Sequence, residues 1–207
     1  MKLIEFLKDR RSIRKYKDTP VPKEMVLKLI EAAIWAPNAE NDQPWKFVVV
    51  QNQHKKDMIQ DVSVSGAADF FFAQKDHLMK KFKSLDLKRR KKLVLGFTTG
   101  KFFAFINTAP IVIIALADTE KTPYAVPSTS AAVQNMLLMA HALGLGAVWT
   151  VIGAVDKTNR EKVKKIIGYA EPKWDVVAIV PVGYPAESPR RDARIRKPVE
   201  AALDWQD

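Results

Sequence analysis

Apolar residues recur along this chain in two rhythms, helical stripes and continuous β-branched runs. Their alternation predicts a sheet enclosed by helical layers. Leu3, Ile4 and Leu7 predict an amphipathic helix ending near a run of arginines. A second helix is more strongly marked. Pro22 suits a first helical position, Glu24 and Lys28 pair at i, i+4, and Val26, Leu29, Ile30, Ala33 and Ile34 share one face. It is expected to stop at Ala36-Pro37, because the residue before a proline disfavours helical geometry. Trp45 to Val50, Ile111 to Leu116 and Trp174 to Val182 read as buried strands, and Ala147 to Thr150 as a short one. Ser128 or Thr129 is expected to cap a helix running to about Leu143. Its apolar residues surround it on nearly every side, so it is buried within the domain or against a partner subunit. Asn159 to Ile167 reads as a charged surface helix, and no internal repeat is present.

The 207 residues fit one domain, with residues 52–105 as a variable helical or lid region and 186–207 as a C-terminal extension. From about Asn52 to Lys92 the chain turns polar and helical, and the tail after Gly183-Tyr184-Pro185 has too few apolar residues to fold alone. Charge interrupts the first ten residues too often for a secretory signal, so the expected location is cytoplasmic. The longest apolar run, Ala109 to Ala117, is far short of the roughly 20 residues a membrane helix needs.

No cysteine is present, which excludes disulfides, iron–sulfur clusters, thiolate metal sites and a cysteine nucleophile. The three histidines are widely separated, and neither a His-Glu-x-x-His helix, a Gly-x-Ser-x-Gly elbow nor a Gly-x-x-x-x-Gly-Lys loop occurs. No metal site is expected, and hydrolase and NTPase readings lose their support. A net charge of +11 predicts attraction to polyanions: nucleic acid, a membrane surface or a small phosphorylated ligand.

Two segments carry candidate chemistry. Arg10, Arg11 and Arg14 surround Ser12, offering guanidinium forks and a hydroxyl that match phosphate oxygens. The same residues also suit a solvated basic helix end that complements the helix dipole. The loop Trp35-Ala36-Pro37-Asn38-Ala39-Glu40-Asn41-Asp42-Gln43-Pro44-Trp45 joins helix to strand through small, amide-rich residues. It suits either recognition of a flat heterocycle or a turn with a packed tryptophan.

Arg10-Arg11-Ser12-Ile13-Arg14, the Ala36 to Trp45 loop, Gly144-Leu145-Gly146-Ala147-Val148-Trp149-Thr150, and Pro181-Val182-Gly183-Tyr184-Pro185-Ala186-Glu187 followed by Arg194-Ile195-Arg196-Lys197-Pro198 occur in that order. In this arrangement the chain resembles the FMN-dependent nitroreductase family over nearly its whole length, most thinly from 52 to 105. The resemblance implies an α+β, three-layer α-β-α fold with a mixed central sheet and a C-terminal tail extending onto the partner subunit. It also implies a homodimer with FMN at the interface and NADH or NADPH as co-substrate. By position, Arg10, Ser12, Arg194 and Arg196 match the family's phosphate-binding set, with Arg11 and Arg14 beside it and Arg14 reaching the ribityl or pyrimidine side. Pro37, Asn38, Ala39 and Asn41 match the loop that in the family packs on the isoalloxazine from the second subunit. Trp149, Thr150 and Val151 match the strand-end segment facing flavin N5. The family often has serine where Asn38 and Ala39 stand and glycine near Val151, and Lys101 corresponds to a variable ring-edge contact.

The expected activity is reduction of nitroaromatics, quinones or similar small electrophiles in a ping-pong cycle through flavin N5, with no protein residue as catalytic acid or base. Relatives of the fold that dehalogenate, cleave flavin or oxidise azolines give an alternative. A basic polyanion- or nucleic-acid-binding protein gives a different one, motivated by Lys80 to Lys92. That stretch alternates with Phe82, Leu85, Leu87 and Leu93 and reads as the solvated face of a lid helix, so the expected partners exclude nucleic acid, and the short apolar runs exclude a membrane partner as well. Phe97, Phe102, Phe103 and Phe105 either roof the site or pack as core.

Overall fold

The computed structural model describes residues 2–188 and 196–206. Four strands form one sheet in the order β1-β2-β4-β3, with β1 Trp45–Val50, β2 Ile111–Asp118, β3 Gly146–Ala147 and β4 Trp174–Gly183. Every pairing between named strands is antiparallel. Among the described residues the one parallel pairing is a bridge, Ser12 to Ala147, which brings the N-terminal segment to the sheet's edge.

Strand alternation divides the core between two faces. Ile111, Ile113, Ala115, Ala178, Val180 and Val182 face α2 (Lys23–Ile34) and α6 (Ala125–Ala142), burying Leu29, Ala33, Val133 and Met136. Val112, Ile114, Leu116, Val176 and Ile179 face the other layer, where α3 (Gln53–Ala73) supplies Ile59 and α7 (Lys157–Ile167) supplies Val163 and Ile167. Ala115 pairs with Ala178 but Leu116 with Val176, so Val177 is the extra residue of a bulge. The bulge is what lets Val176 and Ile179 share a face despite their odd separation.

The helix containing Ser128 and Thr129 begins earlier than the expected cap. Tyr124 is its N-cap, and Ser128 and Thr129 are buried inside it. Pro127 lies within the first turn, where its missing N–H costs no intrahelical bond. The short strand predicted over Ala147 to Thr150 is realised as β3 and, after a gap, one bridge from Thr150 to Ile179.

The polar region 52–92 forms α3, then α4 (Lys75–Phe82) and α5 (Leu87–Thr98). Phe71 and Phe82 stack on Phe97, and Phe97 meets Phe102 edge-on at 5.3 Å. These rings hold α3, α4 and α5 together, so most of the phenylalanines considered for a roof pack as core. The short helix α1 (Leu3–Asp9) buries none of its residues.

Candidate active site

Residues 10–17 run in extended conformation between two partners. On one side Ser12 bridges Ala147, and Ile13 donates its N–H to the Ala147 carbonyl at 3.1 Å. On the other, Tyr16 bridges Pro185, Lys17 N–H reaches the Tyr184 carbonyl at 2.8 Å and Ala186 N–H reaches Lys15 at 3.0 Å. The basic segment and the chain leaving β4 therefore share one corner of the fold. Tyr16 fastens that corner: its hydroxyl donates to the Ile13 carbonyl at 2.6 Å, with the Pro181 carbonyl 3.2 Å away. Burial pushes its pKa well above the ordinary 10.0 against the opposing charge of Arg14, so it stays a neutral donor. The Lys15–Glu187 ion pair, 2.6 Å long, spans the same two strands, but both side chains are exposed and it adds little.

The arginines have different surroundings. Arg11 directs its guanidinium to the carbonyls of Lys8 and Arg10, closing the end of α1. Arg14 is exposed and lies over the Phe105 ring, 5.8 Å from its centre. That contact orients a charge that stays open to solvent on its other side. Arg10 and Ser12 are half-buried.

Beside this segment the chain passes from Val148, which is buried, to Val151, which is 42% exposed. Thr150 exchanges two backbone hydrogen bonds with Ile179, at 3.1 and 2.8 Å, and its hydroxyl accepts from Ile152 N–H at 3.4 Å. Their neighbour differs: the Val151 N–H has no partner among the described residues. Gly153 fixes the turn against α3, where an added Cβ would lie 2.3 Å from Ser63 Oγ.

The loop before β1 is wound tightly. Glu40, Asn41 and Gln43 have φ of 52, 56 and 48°, a region non-glycine residues enter at a cost. Asn38 holds it by accepting from Gln43 N–H at 2.8 Å and donating to the Ala36 carbonyl at 3.3 Å. Its amide is thus engaged within the loop. The Pro44 carbonyl accepts from Asp118 N–H at 2.7 Å, docking the loop to the end of β2. Close to that end, Asp118 Oδ1 is buried without a hydrogen-bond partner among the described residues, as is Thr129 Oγ1 on α6. Such atoms cost roughly 1–3 kcal/mol unless something outside the protomer satisfies them.

Register separates the two halves. Trp45 pairs with Ala117, whereas Ala147 pairs with Val182, which faces Ile111. Six positions along β2 place them about 20 Å apart. One protomer does not bring the loop to the arginine corner.

The Nitroreductase family profile matches residues 7–184. The chain belongs to the nitroreductase family. A Methanothermobacter thermautotrophicus protein with the provisional name NADH dehydrogenase/NAD(P)H nitroreductase is 33% identical over 192 residues, covering 91% of this chain and 80% of that protein. A Thermotoga neapolitana protein named iodotyrosine deiodinase is 28% identical over 94% of this chain and 96% of its own length. Among solved structures, an FMN-dependent nitroreductase from Clostridium difficile R20291 superposes with a TM-score of 0.68 at 28% identity, covering 98% of this chain and 95% of that one.

Within this nitroreductase-family chain, the Ser12–Ala147 bridge joins the segment carrying Arg10, Arg11, Ser12 and Arg14 to the one that leads into Trp149, Thr150 and Val151. Pro37, Asn38, Ala39 and Asn41 lie together at the far end of the sheet. Arg194 lies outside the described residues; Arg196 is exposed, as is Lys101 in the turn after α5. Sequence reasoning did not single out Tyr16 or Asp118. An isolated tyrosine and a strand-end aspartate carry no motif, and only the folded register gives them partners.

Proposed function

We propose that this protein is an FMN-dependent oxidoreductase that takes electrons from NADH or NADPH and passes them to nitroaromatics, quinones or similar small electrophiles. We further propose that it works as a cytoplasmic homodimer of single-domain subunits. The observation carrying the reading is the arginine–serine corner, joined through the Ser12–Ala147 bridge to a segment ending at the exposed Val151, whose N–H has no partner among the described residues, in a nitroreductase-family fold. The donor set fits FMN: guanidinium forks and a hydroxyl suit its phosphate, and an unspent N–H suits an acceptor on its ring. In this assignment Arg10, Ser12 and Arg14, with Arg194 and Arg196 from the tail, hold the phosphate and ribityl end. Arg11 supports them by closing α1, and Trp149, Thr150 and Val151 form the wall against the ring.

Pro37, Asn38, Ala39 and Asn41 are assigned to the partner's half of the site, because their loop enters the sheet at Trp45, about 20 Å along β2 from the level of Ala147 in this protomer. A second copy also accounts for the apolar surface. Trp35 is 80% exposed beside a hollow of about 310 Å³ lined by Phe6, Ala32, Asn135, Leu138 and Met139. Such exposed apolar area marks an interface.

Bound FMN supplies hydride acceptance and donation at N5, leaving placement and electrostatics to the protein. Arg14, resting on Phe105, would supply a cation to offset the negative charge of the reduced ring, and the Val151 N–H would be a free donor toward it, with the partner's loop helping to exclude water. No side chain is assigned as acid or base. NAD(P)H and acceptor take turns at the same face.

The test is the absorbance spectrum of the purified protein, followed by anaerobic titration with each nicotinamide and turnover with a nitroaromatic, a quinone and a halogenated tyrosine. Flavin bands bleached by NAD(P)H and restored by the first two acceptors support the reading. Colourless protein overturns it. Preference for the halogenated substrate moves the assignment to dehalogenation, in line with the iodotyrosine deiodinase name of the Thermotoga neapolitana relative.

A further inference from the structure

The chain's positive charge is concentrated on the lid. Residues 75–101 contain ten lysines and arginines against two aspartates, the larger part of the net charge of +11. Neither α4 nor α5 contributes a described residue to the arginine corner or the Asn38 loop, so the proposed chemistry leaves this charge unused.

The arrangement on α5 is specific. Phe97 and the buried Gly96 turn inward, Gly96 being so close to Phe102 that a Cβ would lie 2.4 Å from the ring. The opposite face carries Leu87, Lys91 and Leu95 at i, i+4 and i+8, with Lys88 and Lys92 alongside. Both leucines are open to water, Leu87 at 57% and Leu95 at 58%. The stripe is about 12 Å long. Lys80, Lys81 and Lys83, all exposed, extend the positive field from the end of α4. The Asp86–Arg89 pair at the start of α5 is exposed and screened, and it leaves the stripe's lysines untouched.

We propose that this face of α5 docks the protein peripherally on an anionic lipid surface, with Leu87 and Leu95 entering the headgroup boundary and Lys88, Lys91 and Lys92 meeting the lipid charges. An amphipathic helix lying in the interface needs both components, apolar side chains on one stripe and lysines flanking it. Lysine stems are long enough to keep their ammonium groups at the headgroups while the leucines sit deeper. A nucleic-acid surface explains the lysines but gives the leucines nothing to bury against, since affinity there comes mainly from phosphate contacts. Docking is peripheral, because no helix among the described residues is long and apolar enough to cross a bilayer. It revises the expectation of no membrane partner, which rested on the lack of a spanning segment.

The test uses the full-length, flavin-loaded protein in co-sedimentation with vesicles of phosphatidylcholine alone and of phosphatidylcholine with about one-third phosphatidylglycerol, at physiological salt. Binding to the anionic vesicles alone is expected. Charge reversal by K88E, K91E and K92E should lower it about a hundredfold, and L87Q with L95Q, which leaves all charge in place, about tenfold. Flavin absorbance of the same samples reports an intact cofactor site independently. Absence of binding to anionic vesicles overturns the proposal. So does unchanged vesicle binding by the leucine variant together with tight duplex-DNA binding, which identifies a nucleic-acid surface. A fall in oligomeric mass in the leucine variant also overturns it, by identifying the stripe as a contact with a second copy.

Discussion

Ile13 rests on Gly146, and the contact is close enough that a Cβ on the glycine would lie 2.6 Å from Ile13 Cγ2 and 2.7 Å from its Cβ. The nearest atoms belong to a branch point rather than to a flexible chain end, so the isoleucine must move as a body. Its backbone moves with it, because Ile13 N–H is bonded to the adjacent Ala147 carbonyl. Gly146→Ala is therefore expected to cost about 1–3 kcal/mol, the usual range for overpacking. It should also lower flavin content by displacing Ser12 and Arg14. Denaturant unfolding and the flavin-to-protein absorbance ratio check both. Wild-type stability with full flavin would contradict the account of the corner.

Arg14 acts through charge and orientation together. Arg14→Ala removes both, and Arg14→Lys keeps the charge but loses the planar fork and much of the stacking on Phe105. FMN dissociation constants measured by fluorescence should rise in both variants, by at least about tenfold for alanine and less for lysine. Equal retention in wild type and Arg14→Ala would remove Arg14 from the binding set. The paired change R194A with R196A tests the tail in the same assay, and unchanged retention would confine phosphate binding to the N-terminal corner.

Trp35 offers a way to separate folding from assembly. It is 80% exposed, so Trp35→Ser should leave protomer stability nearly unchanged. If a second copy covers it, the variant should dissociate to monomers at concentrations where the wild type sediments as a dimer. A dimer of undiminished affinity would place the interface elsewhere.

How much could be read from the chain depended on whether a feature is local. Trp45 to Val50 was legible to the residue, because an apolar β-rich run between turn signals is a local property. The continuous run starting at Ile111 extended two residues beyond its expected end, to Asp118. The α6 start was misplaced because Ser128 and Thr129 look like caps in sequence. Burial uses them instead as small residues inside the helix. The two halves of the candidate site were visible as motifs, and the family resemblance implied that the loop comes from a second subunit, but the residue patterns themselves did not show the separation. It depends on Trp45 pairing with Ala117 and Ala147 with Val182, long-range choices of register that no short window contains.

Lys56 makes a pH prediction whose sign follows from its surroundings. The residue is buried at 5% exposure, and its ammonium donates to the Ala109 carbonyl at 2.8 Å, with the Pro110 carbonyl 3.4 Å away. Desolvation lowers its pKa from 10.5, and the nearby carboxylates of Asp57 and Asp18 only partly oppose this. The folded protein thus binds this proton more weakly than the unfolded chain. Between the lowered pKa and 10.5 the unfolded state holds more protons, so stability must rise with pH across that window. Lys56→Met keeps the side chain's length and removes the titration. The stability of wild type minus that of Lys56→Met, from urea unfolding at intervals between pH 7 and 10.5, should become more favourable to the wild type as pH increases, with a slope not exceeding about 1.4 kcal/mol per pH unit. Other lysines titrate equally in both proteins and cancel in the difference. A flat or falling difference would show that the carbonyls of Ala109 and Pro110 stabilise the ammonium fully against burial.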